Sequence, residues 1–522
     1  MASSETSNHP EKVLEEESFQ EPRHGLVSET ASDLQPQDSS VDHQSKPAIA
    51  NDDSLANDEL VDWTGPDDPD RPINWARSKK WRNVLVVSLI TFTTPLASSM
   101  IAPAVPLLME EFKSTNSIIA SFIVSIYVVG YAVGPLLLGP LSEIFGRLWL
   151  YHINNVLFVI WSMGCALAPN VPGMLMFRLL SGLAGSCALT IGGGTIVDLF
   201  VQEDRGRAMA LFSFGPILGP IIGPIGGGFL AEAEGWRWVF WLLTIISGGI
   251  AIVGFLCLSE TYERTILEKR AAKLRKSTGN PNIHSKLALP ISTGEIFKRA
   301  IIRPFKLLFL SPIVAIMSIY VALVYAYLYF FFTTMSTVFR DQYQWKNEIL
   351  GLAFTGLGVG SIISVIFFAL VSDRLLKHLA EKSGGERKPE YRLPPLLISC
   401  VTIPIGLIWY GWTAQKRLHW ILPLIGTGFV GVGQIATFMP VVTYLIDSFP
   451  EYAASVSAAN TVLRSLGGAF IPLAGPPLYD ALGLGWANSL LGFIAMGMIP
   501  VTIGLYKYGE RIRTNPKFQV KL

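Results

Sequence analysis

Charge is scarce in this chain of 522 residues: Asp, Glu, Lys and Arg make up 16%, while half of the residues are hydrophobic. That balance argues against an ordinary water-soluble domain. A net charge of +1 exerts no global pull on nucleic acid, and no nucleic-acid partner is expected. The four cysteines, Cys165, Cys187, Cys257 and Cys400, lie in apolar runs without metal-ligand spacing, and read as small buried apolar residues. No glycine loop ending in Lys-Ser/Thr is present to hold a nucleotide, nor a His-Glu-x-x-His helix, nor a Gly-x-Ser-x-Gly elbow. ATP-driven pumping and the common hydrolase chemistries therefore have no residues to rest on, and neither cofactor nor metal is expected. No Asp or Glu stands at the centre of a long apolar run, so a strongly cationic ligand lacks a counter-ion and no proton carrier stands out. The early charges are mostly acidic and no apolar core follows them, so no secretory signal is expected.

Long apolar runs are what the chain does have. They begin near Arg82, Ile118, Leu148, Gly173, Ala208 and Trp236, and again near Pro304, Leu350, Pro394, Trp420, Ala453 and Trp486. About twelve membrane spans follow from these runs. With the N-terminus inside, about thirty Lys and Arg fall in cytoplasmic segments and about six outside, which predicts both termini in the cytoplasm. Residues 1–62, rich in Ser, Glu, Asp, Gln and Pro, predict a disordered cytoplasmic tail. An entry segment, 63–81, precedes a first six-helix bundle over 82–258; a basic linker, 259–303, leads to a second bundle over 304–508 and a tail, 509–522. The linker's basic residues, Arg264 to Arg303, read as topology signals on an amphipathic connector, with a lipid-surface role as the alternative.

The halves echo one another. The fourth run ends Ile196-Val-Asp198-Leu-Phe200 with Glu203 following, and the tenth ends Leu445-Ile-Asp447-Ser-Phe449 with Glu451 following. The second and eighth runs both close on an acid, Glu143 and Asp373. Between the echoes lies Gly215-Pro216-Ile-Leu-Gly219-Pro220-Ile-Ile-Gly223-Pro224-Ile-Gly226-Gly227-Gly228, a Gly-Pro pair every four residues. Each interior proline would cost a soluble helix about 3 kcal/mol. In a bilayer neighbouring helices re-satisfy the freed carbonyls and the glycines form a ridge for close approach, so the segment reads as a bent, rigid, tightly packed membrane helix.

With these motifs in hand, the chain resembles the major facilitator superfamily, and within it the fungal twelve-span drug:proton antiporters, from about Asp62 to the C-terminus. Gly139-Pro-Leu-Ser-Glu143-Ile-Phe-Gly146-Arg147 is similar to that family's loop between spans two and three, with Glu143 where aspartate is more usual. Leu175-Met-Phe-Arg178-Leu-Leu-Ser-Gly182 resembles its span-four arginine motif, and the Gly-Pro ladder its antiporter motif. Asp62-Trp63-Thr-Gly-Pro66-Asp-Asp-Pro69, continuing to Asn74-Trp75, resembles the entry segment of the fungal subgroup, and Leu258-Ser-Glu-Thr-Tyr262 the drug-antiporter exit from span six. The resemblance implies an all-α membrane protein of two six-helix bundles that works by alternating access. It implies export of a small amphipathic molecule (a drug, toxin or secondary metabolite) in exchange for protons. Proton-coupled nutrient uptake on the same fold is the rival reading, and a non-transporting receptor a weaker one. A monomer in the plasma membrane is expected, with the vacuolar membrane as an alternative.

Residue by residue, a conformational latch is expected of Gly139, Glu143, Gly146, Arg147, Asp198 and Arg205, the two glycines giving a sharp turn and Glu143 facing a helix N-terminus. Asp198 has two possible partners, Arg147 and Arg205. The ladder (Gly215, Pro216, Gly219, Pro220, Gly223, Pro224, Gly227) is expected at the interface between halves, where it would disfavour leak. Arg178, inside an apolar run, must be paired, hydrated or snorkelling. In the family the corresponding arginine is associated with proton coupling. Asn460 and Arg464 share one face of span eleven and either line the pathway or bind carbonyls at a helix crossing. Span seven carries Tyr320, Tyr325, Tyr327, Tyr329 and Phe330 to Phe332, with Tyr325 and Tyr329 on one face. With Tyr127, Tyr131, Gln434, Phe438 and Met439 they outline a cavity for flat, apolar molecules, although packing accounts for any one of them singly.

Overall fold

The computed structural model describes residues 60–201, 204–288, 292–382 and 388–515. Residues 1–59, Glu203, the Asp373 side chain and residues 516–522, all named in the sequence reading, lie outside them. The described chain is helical except for one two-residue strand pair, Leu60–Val61 with His284–Ser285.

The first span runs Arg77–Ser99, tightens into a turn at Ala102–Ala104 and resumes as Val105–Glu111. Ser117–Phe145, Arg147–Ala166, Val171–Leu199, Arg205–Glu234 and Trp236–Cys257 complete the first half. The second half holds Pro312–Tyr343, then Asn347–Leu350 continuing as Thr355–Lys382, then Leu396–Gln415 and Ile421–Ser448. Its eleventh span, Ala453–Phe470, continues into the helix Gly475–Met496. Gly483, at φ +70°, breaks that helix and turns the chain into the twelfth span, which ends at Thr514. Among the described residues, ten helical segments are long and apolar enough to cross a bilayer. The last of them, Pro450–Thr514, contains that break and so makes two crossings. Arg147–Ala166, more polar through His152, Asn154 and Asn155, adds the twelfth.

Local chemistry sets several ends. The Asn116 side chain accepts from the amides of Ile118 and Ile119, and Asn170 from that of Gly173, so each caps the helix that follows. The seventh span starts at Pro312 and not near Pro304. Residues Thr293–Leu310 form a separate amphipathic linker helix, capped by Ser292, and the chain turns at Ser311 before the seventh span begins at Pro312. The reading failed there because Ile301, Ile302, Phe305 and Leu307–Leu310 are apolar enough to pass for membrane sequence, while Lys298, Arg299, Arg303 and Lys306 share their turns.

The same pairings recur in both halves: first with fifth and seventh with eleventh, second with fourth and eighth with tenth, third with sixth and ninth with twelfth. Lipid offers helices no hydrophobic reason to associate, so close approach relies on small residues. A Cβ at Gly215 would stand 2.8 Å from the Phe92 amide, and one at Gly219 2.8 Å from that of Leu96. Gly223 meets the Ser99 hydroxyl and Gly227 the Met100 carbonyl. The ladder is therefore a backbone-to-backbone seam with the first span, inside the first half. Its expected place between the halves is taken by the opposite face of the same helix, where Ile221, Pro224 and Gly228 meet Gly351 and Gly358 of the eighth span.

The entry segment is built in. Trp75 packs with Ile196, Leu199 and Phe200 at the end of the fourth span. Buried Asp68 accepts from both Arg270 terminal nitrogens, at 2.9 and 3.3 Å, while Arg71 pairs with Glu263 at 2.9 Å. The Arg270 guanidinium and the Thr64 and Asp70 amides hold the Asp68 carboxyl well below the usual carboxylate range. The linker helix Glu263–Thr278 is thus fastened to the first half, and Leu60–Val61, expected within the tail, pair with His284–Ser285.

Overpacking a seam of this kind costs about 1–3 kcal/mol. Gly219→Leu should lower the melting temperature of the purified protein by several degrees. Gly226→Leu, a neighbour with nothing within 4 Å, should leave it unchanged. Size-exclusion chromatography after graded heating reads both.

Candidate functional site

Arg147 opens the third span directly after Gly146, whose φ of +88° only glycine adopts readily. A Cβ there would also run into the Glu260 carboxylate. Arg147 Nε donates to Asp198 at 3.3 Å and a terminal nitrogen to Ser142 at 2.7 Å, with the guanidinium 4.9 Å from the Tyr262 ring. Asp198 thus takes Arg147 as its partner; Arg205 binds the carbonyls of Phe200 and Val197 instead. Two expectations fail here. Gly139 lies within the helix Ser117–Phe145 with nothing near its α-carbon, so the turn rests on Gly146 alone. Glu143 is exposed, and the carboxylate at a helix N-terminus is Glu260, which accepts from the Arg147 and Leu148 amides at 2.9 and 3.2 Å. The second half repeats the pairing, with Arg392 donating to Asp447 at 3.2 Å.

Arg178 is about 1% exposed and has no carboxylate beside it. Its guanidinium donates to four carbonyls: Ala97 at 2.7 Å, Ser98 at 3.0 Å, Ile123 at 3.1 Å and Val124 at 3.2 Å. The first two belong to the last turn of Arg77–Ser99, where helix carbonyls have no partner of their own. The Tyr127 ring lies 4.7 Å from the guanidinium carbon, and its hydroxyl donates to the Thr94 carbonyl at 3.1 Å. Arg178 is neither snorkelling nor ion-paired; it ties the first, second and fourth spans together through their backbones.

Span seven divides by face. Tyr320 reaches Ser399 at 2.8 Å, Tyr327 donates to the Leu491 carbonyl at 2.9 Å, and Phe331 stacks edgewise on Tyr410, all inside the second half. Tyr325, Tyr329 and Phe332 turn the other way. Tyr329 meets Ser98 of the first span at 2.8 Å, joining the halves, and its ring stands 5.1 Å from that of Tyr325. Across from them Tyr127 and Tyr131 pair edgewise at 5.3 Å. Arg464 lies 4.8 Å from the Tyr325 ring and 5.1 Å from that of Phe438, and Asn460 is buried one turn before it. Gln434 is half-buried, one turn before Phe438. The structure thus brings Tyr127, Tyr131, Tyr325, Tyr329, Phe438 and Arg464 toward one seam, and keeps Arg147 and Asp198 at the end of the bundle that carries the basic loops.

Paired six-helix bundles with matching internal contacts, an aromatic seam between them and a charged clasp at one end define a membrane transporter. The chain belongs to the Major Facilitator Superfamily, whose model matches residues 87–472. It is 50% identical over 464 residues to the MFS transporter cpaT of Aspergillus oryzae, covering 89% of this chain and 94% of that protein. It is 52% identical to the MFS-type transporter penM of Penicillium rubens, covering 88% and 91%. The efflux pump radE of Floropilus chiversii is 48% identical, with 89% and 86% covered. Among solved structures, the xylose transporter XylE of E. coli in a partially occluded inward-open conformation superimposes with a TM-score of 0.61 at 17% identity, covering 83% of this chain and 98% of that one. A bacterial homologue of the lysosomal transporter Spinster, inward-facing, gives 0.60 at 15%, covering 86% and 100%. At such identities these two structures speak for the fold alone.

Glu260 should matter more than Glu143. Removing a helix cap costs about 0.5–2 kcal/mol, so Glu260→Ala should lower the melting temperature while Glu143→Ala leaves it unchanged. Arg178→Met strands several carbonyls at about 1–3 kcal/mol each. The expected result is loss of monodisperse protein, and Arg178→Lys, lacking the planar fork, should not restore it.

Proposed function

We propose that the protein exports a small amphipathic organic molecule, a drug, toxin or secondary metabolite, from the cytoplasm in exchange for protons. The observation that carries the reading is the seam itself. Tyr127, Tyr131, Tyr325, Tyr329 and Phe438 offer broad apolar faces with a few hydroxyls, and among the described residues no carboxylate touches them. Such a surface accepts flat organic molecules better than sugars, which need many hydrogen bonds.

Direction is supported separately. The Gly-Pro ladder resembles the antiporter motif, and its glycines meet the first span in close contact. A relative at 48% identity is named an efflux pump. Alternating access requires the two halves to rock about the seam, exposing it to one side at a time. The Arg147–Asp198 clasp, with Glu260 beside it, would hold the cytoplasmic end of the first half rigid during that motion. Gly139, Arg205 and the ladder glycines would serve the packing around it. The plasma membrane is the proposed site of action, and a single chain the working unit.

In cells lacking the protein, labelled amphipathic compounds should accumulate to a higher level than in the parent. A protonophore should abolish the difference. Lower accumulation in the deletion strain would establish uptake in place of export.

A further inference from the structure

Two arginines lie in the middle of spans, and their surroundings differ. Arg178 has four carbonyl partners. Arg464 makes no hydrogen bond and no ion pair among the described residues, and its Nε is buried without a partner. The residue is half-buried, and the rings of Tyr325 and Phe438 flank its guanidinium. Attraction to two ring faces offsets only part of the cost of holding a cation there. An arginine at membrane depth without an ionic or hydrogen-bonded partner is costly. The deficit calls for an anion.

Among the described residues none is supplied. Asp447 lies nine residues past Phe438 on the tenth span, about 13 Å along the helix at 1.5 Å per residue, and it is engaged by Arg392. Asp480 is sixteen residues beyond Arg464, about 24 Å along the eleventh span. A polar group without a partner stands nearby instead: the Asn460 side-chain carbonyl, one turn before Arg464. The half-buried Gln434 amide, one turn from Phe438, likewise makes no hydrogen bond.

We propose that Arg464 receives an anionic group, a carboxylate or the planar oxyanion of an acidic enol or phenol, carried by the transported molecule. The guanidinium fork matches two coplanar oxygens. The aromatic or apolar body of the molecule lies against Tyr325 and Phe438, and the Asn460 and Gln434 amides take its remaining polar groups. A cationic molecule meets an uncompensated guanidinium there and is rejected. This assignment rests on the seam being the substrate site, but it requires neither outward direction nor proton coupling.

Binding to the purified full-length protein in nanodiscs tests it, with empty nanodiscs subtracted. Three probes share one ring system and differ in charge: pyrenebutyrate, its methyl ester and a pyrenylbutyl-trimethylammonium salt. The carboxylate should bind at least tenfold more tightly than either of the others. Arg464→Gln should remove that preference while leaving ester binding within twofold, and Arg464→Lys should keep part of it. Equal affinity of the native protein for carboxylate and ester overturns the proposal, even if the variants fail to fold. So does an equal loss of all three probes in a well-folded Arg464→Gln. Anion preference without export in cells would instead sink the export reading and leave this one standing.

Discussion

The structure depends on backbone meeting backbone. Inside a bilayer neither water nor the hydrophobic effect rewards helix association, so helices must come close enough for dispersion and polar contacts between main chains to hold them. Glycines at four-residue intervals bring the fifth span onto the first, Gly130 and Gly182 bring the second onto the fourth, and Gly356, Gly360 and Gly431 do the same for the eighth and tenth. Arg178 completes this logic by converting orphan carbonyls of the first span into acceptors. Its guanidinium substitutes for the water that a soluble helix end would use.

Much of this was legible from the sequence because bilayer physics writes large signals. Run length and hydropathy located most spans, and the Gly-Pro spacing named a close-packed helix before its partner was known. The pairing of Arg147 with Asp198 was one of two options that the residues left open. What stayed hidden depends on contacts across long sequence separations or on groups that carry no side-chain signature. Glu260 caps a helix more than a hundred residues earlier; its one clue was being the sole acid directly after the sixth span, at the end where the third begins. The partners of Arg178 are carbonyls, which every residue possesses. Pro304 was misassigned because an amphipathic helix with a dense apolar face passes the same average as a span.

The two halves share a scaffold and differ in how it is charged. Equivalent helices pair in equivalent ways, and an arginine before the third and ninth spans reaches the aspartate that closes the fourth and tenth. The symmetry fails at the seam. The first half buries a cation that its own backbone satisfies, whereas the second presents one that no described residue pairs with. A fold repeated for stability thus becomes polarised for recognition through a few side chains, while the helices beneath them keep their geometry.

The contact of Pro224 and Gly228 with Gly351 has a mechanical meaning. No side chain cushions it, so there is nothing to compress or to swing aside as the helices part. Dispersion between atoms in direct touch fades within about an ångström of separation, and the resisting force is spent at the start of the movement. A joint of that kind behaves as a detent and not as a spring: it holds fully, then releases fully. The far end of the molecule would then be shut or open, with little time in between, which is the behaviour that keeps a membrane tight around a moving carrier.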